Sequence, residues 1–156
     1  YEEGICSALG VCNFNIGALR KLLMHCKIRP SVNQVERHPL LPQWDLLDFC
    51  LKNDIVLQSH TCLGQGKPEL LQSETICEVA KTAGVSPAQT VVQWNLMHGV
   101  PVVVKCSGEE HMKEIMDPKA RVESAGMKAL DSIGKRKLRF VSPPFMSKRG
   151  AIYAWE

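Results

Sequence analysis

The sequence contains no Cys-x-x-Cys pair, although it holds seven cysteines, Cys6, Cys12, Cys26, Cys50, Cys62, Cys77 and Cys106. With that odd count, neither a zinc site nor a secreted disulfide framework is expected. Most of the thiols read as small core residues, and a reducing, cytoplasmic compartment is expected. No apolar run approaches the ~20 residues of a membrane span. The opening "YEEGICSALG" lacks a basic region followed by an apolar one, so no signal peptide is expected. The first residue is not Met, which suggests processing or a piece of something longer. Excess charge is also missing. A formal net of +3 does not call for nucleic acid. The densest basic run, "KRKLR" at Lys135–Arg139, has no interleaved aromatics to stack on bases.

What is present has a strand-then-helix rhythm. "CSALGVCNF" reads as a strand, and Asn15 caps a helix whose apolar face is Ile16, Leu19, Leu22 and Leu23. "SVNQVE" is the second strand. The helix after it starts near Pro42, with Trp44, Leu47, Cys50 and Leu51 facing inward. "DIVLQSH" is the third strand, followed by a glycine-rich loop, "TCLGQGKPELLQ". Ser73 and Gly84 bound one helix. Ser86, Pro87 and Gln89 open another with a capping box, and Gly99 ends it. "VPVVVKCS" is a continuous apolar run, as expected of a parallel strand covered on both faces. "GEEHMKEIM" and "KALDSIG" are short helices. An α/β class follows, with about four strand–helix units: a small open sheet or half of an eight-stranded barrel.

One stretch stands apart. "VNQVERHPLLPQ" puts Asn33, Gln34 and Glu36 at the end of a strand, where buried polar groups need partners. Polar groups gathered there, before a helix, suggest a ligand.

"GVCNFN", "NQVERHPLLPQ", "LGQGKPELL", "SPAQTVVQW", "VVVKCS" and "MKALDSI" fall in the order and spacing of the aldo-keto reductase family. The chain resembles the C-terminal half of that family's barrel, from about Glu2 to Phe140. The resemblance implies a (β/α)8 barrel of which this chain supplies roughly strands five to eight over residues 1–140, with an irregular tail over 141–156. It also implies NADP(H) as cofactor and small aldehydes or ketones as substrates. By the same resemblance Cys12, Asn13 and Gln34 would meet the nicotinamide carboxamide. His60 stands where the family stacks a tyrosine on the nicotinamide ring. Thr61, Leu63 and Gly64 would follow the pyrophosphate. Lys105, Cys106 and His111 would meet the 2′-phosphate, and Glu114 the adenine.

Several of these positions depart from the family pattern. Cys12 and Cys106 replace serines, His60 replaces tyrosine and His111 replaces arginine. A thiol is a weaker donor than a hydroxyl, and imidazole lacks the guanidinium fork. Read alone, Gln34 is an amide bonded to a neighbouring loop, His60 a structural histidine, and Lys105 a solvated lysine.

The family's catalytic Asp, Tyr, Lys and His belong to its first half, so no catalytic residue is assigned here. His38 matches a His-Pro of the sixth-strand loop and is given no chemistry. Two readings result: the C-terminal part of a reductase, or a truncated, non-catalytic relative that binds NADP(H) weakly or not at all. Half a barrel has open strand edges, which a missing N-terminal half or a second copy would cover. Phe145, Tyr153 and Trp155 could line a lid, and Gly126 is expected to weaken the last helix by up to ~1 kcal/mol.

Overall fold

A computed structural model describes residues 1, 3–117 and 121–141, without the side chain of Arg136. The expected tail over 141–156, with its lid residues, lies outside the described residues apart from Val141. The chain divides into two compact units, one comprising residues 1–35, 43–58 and 141–156, the other residues 36–42 and 59–140.

In the first unit, strand β1 (Gly10–Cys12) lies parallel to β2 (Val32–Glu36), with Gly10 opposite Val32 and Cys12 opposite Gln34. Helix α1 (Ile16–His25) connects them. Its cap is the expected one: the Asn15 side chain accepts from the Ala18 N–H at 2.6 Å. Leu19 on its inner face is fully buried. Helix α2 (Trp44–Leu51) follows β2, and strand β3 (Val56–His60) completes the sheet order β1-β2-β3.

Side chains alternate along β2, and this splits its polar end. Asn33 is fully buried; it donates to the Phe14 carbonyl at 2.8 Å and accepts from the Phe14 N–H at 3.3 Å. It therefore ties the β1–α1 turn to the strand. Burial pushes the nearby Cys50 thiol up to about 11, with the Asn33 side chain opposing. The inner side of α2 differs from expectation. Leu46, Leu47 and Cys50 are buried, while Trp44 and Leu51 face outward. Leu47 and Cys50 are thus inward as expected, and Gln43 precedes the helix in left-handed conformation.

The second unit is mainly helical: α3 (Pro68–Leu71), α4 (Glu74–Ala83), α5 (Pro87–Met97), α6 (Glu109–Ile115) and α7 (Ser124–Ser132). The capping box of α5 is complete, with Gln89 N–H to Ser86 Oγ at 3.1 Å and Ser86 N–H to Gln89 Oε1 at 2.9 Å. Gly84 closes α4 as expected, but Ser73 makes no side-chain cap bond. The glycine-rich loop is not structureless: a 3₁₀ turn at Gly64–Gly66 leads directly into α3. Leu70, Ile76, Val91, Trp94 and Leu130 form the core.

The fourth strand is much reduced. "VPVVVKCS" contributes one parallel bridge, Ser59 to Val102, and Val103 is half exposed. Gly126 also has a different role from the expected one. A methyl group there would lie 2.8 Å from Val79 Cγ1 and 2.9 Å from Val122 Cγ1. Glycine lets α7 approach α4, so its propensity cost is offset by close packing. No helix among the described residues is long and apolar enough to cross a membrane.

Candidate functional site

In the first unit the candidate residues meet at the ends of β1 and β2. The Asn13 N–H donates to the Gln34 carbonyl at 2.8 Å, extending the parallel ladder by one bond. Asn13 sits at φ 60, a left-handed conformation that asparagine tolerates better than most residues. Its side-chain amide donates to Cys12 Sγ at 3.2 Å. Gln34 points away from the face that holds Asn33, and its Nε2 donates to Gln58 Oε1 at 2.7 Å. Gln58 was not singled out from sequence; the signal was a second amide on the neighbouring strand of "DIVLQSH". Cys12, Asn13, Gln34 and Gln58 thus form one polar cluster.

In the second unit His60 ends β3 with its Nδ1 2.9 Å from Thr61 Oγ1. Burial holds the imidazole below its usual range, Glu36 opposes that and Arg139 adds to it. Thr61 adopts φ 51, a rare conformation for a β-branched residue. Such strain gathers at functional sites, where surrounding structure holds it in place. The turn that follows is closed by Gly64 N–H to the Thr61 carbonyl at 2.8 Å and Gly66 N–H to the Leu63 carbonyl at 2.9 Å. The Gly64 amide is therefore engaged within the turn. Cys62 is buried, and burial pushes its thiol up to about 11.

Lys105 is exposed and Cys106 half-buried just beyond the Ser59–Val102 bridge. His111 is exposed on α6 and Glu114 half-buried one turn on. The Glu114 carbonyl accepts from Gln89 Nε2 at 2.7 Å, which fixes α6 to the capped start of α5. An open groove of about 700 Å³ along α6 is lined by Met112, Glu114 and Met116 among others. No group of three metal-ligating side chains occurs among the described residues.

The sequence reading missed a buried ionic cluster in this unit. Glu36, Arg37 and His38 are all fully buried. Glu36 Oε1 accepts from the Phe140 N–H at 2.6 Å and lies 3.1 Å from His38 Nε2, while Oε2 is 3.9 Å from Arg139. His38 Nδ1 has no hydrogen-bond partner among the described residues. The signal was three ionisable residues in a row where β2 ends, Glu36, Arg37 and His38.

The model of the Aldo/keto reductase family matches residues 1–134. The chain belongs to the aldo/keto reductase family. It is 36% identical over 141 residues to 9,11-endoperoxide prostaglandin H2 reductase of Trypanosoma cruzi (strain CL Brener), covering 88% of this chain and 49% of that protein. It is also 36% identical over 157 residues to aldo-keto reductase family 1 member C4 of Macaca fuscata fuscata, covering 93% of this chain and 48% of that protein. The structure of an aldo-keto reductase enzyme from a Medee basin deep-sea metagenome library superposes with a TM-score of 0.84 at 33% identity, over 90% of this chain and 53% of that one. The aldose reductase from Schistosoma japonicum shares the fold, with a TM-score of 0.88 over 99% of this chain at 23% identity. The chain spans about half the length of the aldo/keto reductases it matches.

Proposed function

We propose that this chain is the C-terminal half of a (β/α)8 barrel, strands five to eight, in an NADPH-dependent reductase of small aldehydes or ketones. It contributes cofactor contacts, and the catalytic Asp, Tyr, Lys and His lie on the other half. The observation that carries this reading is the Asn13–Gln34 main-chain bond at 2.8 Å, which holds two side-chain amides at neighbouring strand ends. Two amides offer both donors and acceptors, the chemistry a carboxamide needs. Lys105 is an exposed cation suited to a 2′-phosphate, His111 adds an exposed ring donor, and this set supports NADP(H). When bound, the dinucleotide supplies the hydride. The residues of this chain bind and orient it. Seven free cysteines support a reducing, cytoplasmic setting.

A second reading, a truncated relative with weak binding, is favoured by one observation. The Gln34 amide is already engaged with Gln58, and the Gly64 amide with Thr61. Titration of the chain with NADPH, followed by fluorescence, separates the two. The first reading expects saturable micromolar binding that Gln34→Leu weakens at least tenfold. Absence of saturation at millimolar NADPH would leave the second.

Strand β1 is an end strand of the sheet order, and an open edge invites pairing. We propose that it takes a strand from a preceding half or from a second copy. Sedimentation equilibrium should give twice the 17.4 kDa of the chain when no other half is supplied. A persistent monomer at high concentration would count against the second copy.

A further inference from the structure

Residues 138–140 run back over the glycine turn and are held at several points. The Leu138 N–H donates to the Leu40 carbonyl at 2.9 Å. The Phe140 N–H donates to the buried Glu36 carboxylate at 2.6 Å, a charge-assisted bond short for N–H···O. The Phe140 ring lies 5.0 Å from the His38 ring, and Lys67 Nζ stands 5.6 Å from its centroid. Its edge faces Gly64 so closely that a β-carbon there would lie 2.8 Å from Phe140 Cε2 and 3.1 Å from Cδ2. One aromatic ring therefore touches the middle of the turn, while its backbone is fixed to a carboxylate at the end of β2.

We propose that Phe140 is a positioning residue for the Thr61–Gly66 turn and that Glu36 is its latch. The ring blocks the volume into which Gly64 would relax, so the turn keeps its left-handed conformation at φ 58. Glu36 is thus removed from any direct role with ligand. Its charge is directed at the chain that follows α7. Docking of residues 138–140 and ordering of the turn become one event. This inference rests on the proposed reading of the turn as the pyrophosphate contact.

Two readouts test it on the full chain. Amide hydrogen exchange needs no ligand. Phe140→Leu, which keeps an apolar side chain, should speed exchange at Gly64 and Gly66 at least tenfold and leave the α5 amides unchanged. Phe140→Tyr, which restores the ring, should return the wild-type pattern. Unchanged exchange at the turn, or an equal rise throughout α5, overturns the proposal. Binding is the second readout, with NADPH and 2′-AMP as probes, since 2′-AMP lacks the pyrophosphate. Phe140→Leu should weaken NADPH at least fivefold and 2′-AMP by less than twofold. Equal weakening of both, or of neither, overturns the positioning role in binding. If wild type binds neither probe, the dinucleotide reading fails, while the exchange experiment still decides whether Phe140 holds the turn.

Discussion

Replacing Arg37 with alanine should remove about 3–5 kcal/mol of stability, read as a lower midpoint in urea at unchanged slope. The guanidinium is fully buried, and burial pulls it down to about 9, with Asp131 opposing. It remains charged at neutral pH and is held by several contacts. Its Nε donates to the Pro42 carbonyl at 2.9 Å, Nη1 donates to Asn95 Oδ1 at 2.8 Å, and its Cζ lies 4.1 Å from the centroid of the Trp94 ring. Truncation leaves two acceptors unsatisfied at about 1–3 kcal/mol each and opens a cavity beside Trp94. The relief of no longer burying an ion offsets part of this. Arg37→Met tests that balance, because it fills the volume and removes the charge. We expect it to lose less than half of what alanine loses. Equal losses would show that the two hydrogen bonds, not the cavity, decide the cost. The wider network argues for a large effect in either case. Trp94 Nε1 donates to Asp131 Oδ1 at 2.7 Å, and His98 Nε2 lies 2.9 Å from the same oxygen.

Arg37 also shows what could be read from sequence and what could not. The question raised by "VNQVERHPLLPQ" was why a strand should end in polar residues. A ligand was one answer, and Gln34, whose amide donates to Gln58, is the residue proposed to serve it. Asn33, Glu36, Arg37 and His38 have another: each is buried and bonded to protein. For Asn33, Arg37 and Glu36 the partners include Phe14, Asn95 and Phe140, up to 104 positions away, and no local pattern names a partner at that distance. Helix starts were legible for the opposite reason. The Asn15 cap and the Ser86–Gln89 box are complete within three residues. The fourth strand is only partly realised: its valines favour extended backbone, but pairing with β3 is limited to one bridge at Ser59. Family motifs located the candidate site residues by position. They did not reveal that Gln58 and Phe140 complete the two clusters.

Gly64→Ala is expected to be the most damaging single methyl group that can be added to the candidate site. Two costs combine. At φ 58 an L side chain strains the backbone by roughly 1–2 kcal/mol. The added carbon would also lie 2.8 Å from Phe140 Cε2 and 2.9 Å from Leu70 Cδ2, and overpacking of this kind costs about 1–3 kcal/mol. The sum, about 2–5 kcal/mol, is large against the stability of an ordinary domain. A double-mutant cycle with Phe140→Leu separates the terms. If steric pressure from the ring dominates, the penalty of Gly64→Ala should fall by at least 1 kcal/mol in the Phe140→Leu background. The Leu70 contact and the backbone strain would remain. If the penalty is the same in both backgrounds, the left-handed conformation is fixed by the turn's own hydrogen bonds, Gly64 N–H to Thr61 and Gly66 N–H to Leu63. In that case glycine is required by φ alone, and the ring follows a turn that would form without it.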